Sequence, residues 1–182
     1  MENSAPGTAP GVHRTSRGTF TGLPPQTRML LESEGSTTIL LESLIGCRLT
    51  VRVDSQSPVD AASLDARVLD ALGLSRDAKP VLRRSALLTP DGRAVSSNRV
   101  VFDGAAVPWL ADAQDDVPLG RELRARNSLQ HRVILDHGLA GWPPGGAGTP
   151  CAFKEYLINC ADGSRIHLHE TFSPHFVPVP GR

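Results

Sequence analysis

The sequence predicts an α+β domain with an antiparallel sheet. Two hairpin signals point there. Thr89-Pro90-Asp91-Gly92 and Ala161-Asp162-Gly163-Ser164 each join two strand-like stretches, with glycine where a turn needs positive φ. The third observation is apolar residues at helical spacing in 26–45 and again in 59–72, upstream of the first hairpin.

In chain order, residues 1–22 are rich in Gly, Pro, Ser and Thr and have too few large apolar residues to offset the entropy of ordering, so they are expected to form a flexible arm. Residues 23–182 form one domain. Pro24-Pro25 open a short helix to Glu32 with Met29 and Leu30 inward, and Ser36 or Thr37 caps a second helix that Gly46 stops. Leu49, Val51 and Val53 alternate as a strand, and Val59–Leu72 reads as one amphipathic helix ending at Gly73.

Val81–Leu88 is the central strand. Alternation places Leu82, Arg84, Ala86 and Leu88 on one face and Val81, Arg83, Ser85 and Leu87 on the other. A guanidinium among apolar neighbours calls for an anion from the protein or a ligand, or else for an edge position from which it snorkels to water. The partner strand Ala94–Phe102 sets Arg99 beside Val101. Pro118-Leu119-Gly120 leads into a helical turn, its glycine permitting close backbone approach to a ligand. Arg132–Asp136 reads as a strand, 138–150 as a long Gly/Pro loop, and Phe153–Cys160 and Arg165–Phe172 as the last two strands. Glu170 shares the apolar face of the final strand with Ile166, Leu168 and Phe172. Opposite charges on apolar strand faces suggest a buried ion pair or two ends of a polar ligand site.

The 182 residues carry 19 basic and 19 acidic side chains, so no general pull toward nucleic acid or an anionic membrane is expected. Three cysteines without CxxC spacing and no secretory signal point to a cytoplasmic chain with reduced thiols, and no apolar run nears the roughly 18 residues that span a bilayer. His167 and His169 share a strand face opposite Glu170 but lack the partners of a closed zinc site, so no metal is expected. No Gly-x-Ser-x-Gly elbow or nucleophilic cysteine motif is present.

From about Pro24 to Pro174 the order of features resembles the chorismate lyase (chorismate pyruvate-lyase) family. The resemblance is carried by Pro25-Gln26 with Leu30-Leu31-Glu32 and Gly35-Ser36-Thr37-Thr38, then Arg84-x-x-Leu87-Leu88-x-x-Asp91-Gly92 with Arg99-Val100-Val101. Pro118-Leu119-Gly120-Arg121-x-Leu123, and Gly163 followed by Glu170-x-Phe172-x-Pro174, complete it. It implies a curved, six-stranded antiparallel sheet with helices on one side, and helical flaps over a buried pocket. It also implies a cofactor-free carbon–oxygen lyase, a monomer or small homo-oligomer, that eliminates pyruvate from chorismate to give 4-hydroxybenzoate.

In that family's terms the catalytic pair is Arg84 on the ring carboxylate and Glu170 on the ring hydroxyl. Thr37, Leu119 and Gly120 hold the substrate, and Arg99 receives the leaving pyruvate or helps admit substrate. Thr37 replaces a larger apolar residue, and the Gly/Pro loop is long. The alternatives are a non-catalytic aromatic-acid-binding domain of the same fold, or a same-fold enzyme acting on a related cyclic substrate. The fold also serves as the ligand-binding domain of bacterial transcription regulators with an N-terminal winged helix, which residues 1–22 cannot make.

Overall fold

A computed structural model describes residues 22–111, 117–126, 130–143 and 148–180. Most of the expected arm, and the 144–147 part of the expected loop, lie outside the described residues. Six antiparallel strands form one sheet: β1 Thr50–Pro58, β2 Val81–Leu88, β3 Ala94–Phe102, β4 Gln130–Gly141, β5 Pro150–Cys160 and β6 Arg165–Phe172. Their order is β1-β2-β3-β6-β5-β4, two three-stranded meanders joined along the β3·β6 ladder. No described helix is long and apolar enough to cross a membrane.

The helices are α1 Pro25–Glu32, α2 Thr37–Ile45, α3 Ala66–Leu72, α4 Pro108–Ala111 and α5 Leu119–Ala125. Leu30 and Leu31 of α1 and Leu41 of α2 pack on Leu87, Val95 and Phe172, while Leu110 of α4 and Leu123 of α5 pack on Val100, Ile158 and Leu168. These clusters lie on one sheet face. The expectation of helices on a single side holds for these four, whereas α3 covers the other face, with Val68, Leu69 and Leu72 against Val101 and Leu157.

Several boundaries differ from expectation for physical reasons. The helix expected over Val59–Leu72 is a single 3-10 turn at Ala61–Ser63 followed by α3, because Asp65 adopts extended backbone and accepts a hydrogen bond from the Arg67 N–H at 2.9 Å, restarting the helix. Met29 is 70% exposed and Leu31 takes the inward place. Residues 138–141, expected as loop, extend β4 and pair with 150–153 of β5, since backbone ladders form at glycine and alanine without any side-chain periodicity.

His167 and His169 lie on the α3 face of β6. His167 Nε2 stands 2.8 Å from Glu155 Oε1, and the His169 ring stacks on Phe153. Among the described residues no group of three or more His, Cys, Asp or Glu side chains is placed to hold a metal. The hydrogen bond from His167 holds the Glu155 carboxyl below its usual pKa, against the opposing effect of burial. A lowered folded-state value means stability present above the unfolded pKa of about 4.3 and lost as pH falls through the folded one. Glu155→Gln is therefore expected to cost about 1 kcal/mol at neutral pH. In urea melts that deficit should shrink on acidification below about pH 4; a deficit independent of pH would show that Glu155 stabilises by packing alone.

Candidate functional site

Side chains of the helix-covered face converge on a cavity of about 40 Å³ beneath α2 and α5. The strands contribute Arg83 and Ser85 from β2, Asn98 from β3, Arg132 from β4, Tyr156 from β5 and Glu170 from β6. The lid side is Ser36, Thr37 and Thr38 at the start of α2, and Pro118, Leu119 and Gly120 at the start of α5. Val100, Leu110, Ile158 and Leu168 supply apolar wall.

Of the residues expected from sequence, Glu170, Thr37, Leu119 and Gly120 meet here, whereas Arg84 and Arg99 do not. Arg84 is exposed, and it pairs in register with Arg99 on the opposite sheet face. The cavity arginine of β2 is Arg83, 5% exposed and donating to Gln56 Oε1 at 2.9 Å. Choosing the strand face by counting apolar neighbours failed because a ligand-lining face is itself polar. Val81, Arg83, Ser85 and Leu87 are all buried, while Leu82 is only partly covered, by the α3 cluster. Arg83 thus had the alternation signal but the wrong face. Arg132 and Lys154 had no such signal.

The electrostatics centre on Glu170, which sits between Asn98 and Lys154 in strand register. Burial pushes the Glu170 carboxyl up; Lys154, then Thr37 and Tyr156, pull it the other way. Lys154 is fully buried and its pKa is brought down by burial to about 8, with Glu170 opposing. Its Nζ donates to the carbonyls of Leu30, at 3.3 Å, and of Ser33, tying the sheet to the end of α1. Burial also raises the Tyr156 phenol well above its ordinary value.

Among the described residues three buried polar atoms of the lining make no hydrogen bond, Ser36 Oγ, Asn98 Oδ1 and Arg132 Nε, while the Thr37 hydroxyl lies close enough to the Glu170 carboxyl to lower its pKa. Buried polar atoms are ordinarily paired, and each orphan costs roughly 1–3 kcal/mol. Ser36 occupies the N-cap position of α2 yet its side chain makes no cap bond. Gly120 lets α5 close on it, since a Cβ there would stand 2.7 Å from Ser36 Oγ. Arg121 fixes the same contact by pairing with Glu42 of α2, whose Oε1 also accepts from the Leu49 N–H at 2.9 Å.

No protein-family model matches the sequence, and no curated protein matches it significantly. Solved structures do match in fold. PhnF from Mycobacterium smegmatis superposes with a TM-score of 0.61 at 18% identity, over 80% of this chain and 67% of that one. The effector domain of the same protein gives 0.60 over 79% of this chain and 91% of that one, again at 18% identity. The C-terminal domain of the histidine utilization repressor from Pseudomonas syringae pv. tomato gives 0.56 at 11% identity, over 74% and 98%.

At these identities the likeness is one of fold, the chorismate-lyase-like fold that the sequence led us to expect. The expected activity is corrected. Several of the matching structures, among them the histidine utilization repressor domain and the ligand-binding domain of a putative GntR-family transcriptional regulator, belong to regulators and none of those named is a lyase, which overturns the reading of the chain as a pyruvate-eliminating carbon–oxygen lyase acting on chorismate. The same finding leaves the expected absence of a nucleic-acid partner, which rested on balanced charge and on basic residues spread along the chain, without support.

Proposed function

We propose that the chain is a non-catalytic effector domain, a single unit from residue 23 onward, whose cavity takes a small aromatic carboxylic acid. The observation that carries this reading is the convergence on one cavity of two buried arginines, a buried carboxylate and three polar atoms that make no hydrogen bond among the described residues. The descriptions of its structural neighbours as effector and ligand-binding domains support it.

Arg83 meets the ligand carboxylate with a planar fork, and Arg132 and the positive end of the α2 dipole add to the field there. Glu170 and Thr37 receive a ring hydroxyl. Arg83 and Glu170 lie two strands and two residues apart, about 12 Å at Cα by sheet geometry, which leaves a ring-sized gap once the side chains reach inward. Val100, Ile158 and Leu168 flank that gap. A cavity of about 40 Å³ holds about three waters. An aromatic acid therefore enters by parting α2 from α5, and this movement would transmit occupancy to a partner.

Calorimetric titration with 4-hydroxybenzoate tests the proposal. Saturable binding is expected, with chorismate recovered unchanged from a parallel incubation. Release of pyruvate, or failure of every hydroxybenzoate isomer to bind, would overturn it.

A further inference from the structure

The sheet face opposite the cavity carries ionisable side chains in a continuous register. Arg84 pairs with Arg99, Arg99 with His169, His169 with Glu155, and Glu155 with Asp136, across β2, β3, β6, β5 and β4. Cross-strand partners stand about 4.5–5.5 Å apart at Cβ, so the row runs from a cationic to an anionic end. Like charges directly opposite one another are destabilising in a sheet. Among the described residues no salt bridge reaches the cationic end, and the attraction of Glu155 and Asp65 offsets the repulsion only in part.

Neither Arg84 nor Arg99 makes a hydrogen bond or ion pair among the described residues. The nearby carboxylates are engaged elsewhere: Glu155 with His167 at 2.8 Å, and Asp65 with both the backbone and the guanidinium of Arg67. Arg99 is half-buried, and burial together with the facing Arg84 lowers its pKa despite Glu155 and Asp65. A half-buried guanidinium facing a second, exposed one, with no salt bridge to either among the described residues, is a ready receptor for an anion.

We propose that Arg84 and Arg99, flanked by His169, form a second binding site on the outer sheet face, for a phosphate-type dianion, free or as the end group of an ester. Two adjacent forks offer more donors than one carboxylate can accept, and two positive charges match a dianion. The anionic end of the row, at Glu155 and Asp136, confines the site to the β2–β3 side.

The probe is inorganic phosphate, with glycerol phosphate as the ester arm and acetate as the carboxylate control, all at constant ionic strength. The readout is the imidazole resonance of His169, assigned from its loss in His169→Gln. His169 faces Arg99 from β3 and Glu155 from β5, with His167 on its own strand, Phe153 stacked on its ring and Arg67 of α3 near Glu155. Burial holds its pKa below the ordinary value, and a bound dianion should raise it.

A saturable upward shift is expected. Its apparent affinity should fall about tenfold or more in Arg84→Ala and in Arg99→Ala, and persist in Arg83→Ala, on the other face of the same strand, once a melt shows that variant folded. Tighter binding of the ester assigns the site to an esterified ligand, and equal binding assigns it to the free ion. An unsaturable shift, an equal response to acetate, or loss in Arg83→Ala alone would overturn the proposal.

Discussion

Lys154→Met should lower stability by about 3 kcal/mol or more, the cost of breaking a buried charge pair by removing one member. The lysine is fully enclosed, its register partner is the buried Glu170, and its ammonium donates to two carbonyls at the end of α1. Methionine fills similar volume with an unbranched chain, so packing changes little while the carboxylate loses a stabilising charge and both carbonyls lose their donor. Lys154→Met combined with Glu170→Gln should recover part of the loss, because neutralising the stranded carboxylate removes its desolvation penalty. Denaturant melts of the three proteins at neutral pH measure both effects. A single variant as stable as the parent would show that Glu170 is held protonated and needs no counter-charge.

The lysine has a pH signature too. Its folded pKa of about 8 lies below the unfolded value of about 10.4, so between those limits the unfolded chain binds more protons. The contribution of Lys154 to stability therefore rises with pH through that window, and the rise should be missing in Lys154→Met.

Arg83→Ala should weaken 4-hydroxybenzoate binding roughly 100-fold, the equivalent of about 3 kcal/mol for a lost charge-assisted fork. Arg83→Lys should recover only part of it, since an ammonium restores charge without bidentate geometry. Gln56, which accepts from Arg83, also donates to Leu110 and Ala111 of α4, so the variant's fold should be checked by its melt. Affinity unchanged in Arg83→Ala with an intact melt would place the ligand carboxylate on another group.

Much of the fold was legible because its punctuation is chemical. Strands 81–88 and 94–102 match expectation to the residue, bounded by a proline and glycine turn whose Gly92 has φ +79°. Glu170 was placed on the buried face because its strand neighbours are apolar on that side alone. The two arginines were harder. Alternation separates Arg83 from Arg84 but does not say which face a cavity will occupy, and a cavity face accepts polar side chains that a core face would refuse. Lys154 was invisible for a related reason: its role depends on Glu170 and on the end of α1, neither of which is near it in sequence. The break before α3 followed from a local hydrogen bond at Asp65 that competes with helical periodicity.

The β3·β6 ladder, which joins the two meanders, has consequences for how the molecule is assembled and held. It pairs segments about 70 residues apart, so closing it is entropically expensive, and the halves should be the slowest parts to find each other. The cavity straddles that seam, drawing Arg83 and Asn98 from the first half and Arg132, Tyr156 and Glu170 from the second. A ligand gripping both sides acts as a clasp across the slowest junction. At 100 times its dissociation constant it would add about 2.7 kcal/mol to the folded state, so occupancy would govern the lifetime of the domain as well as its shape.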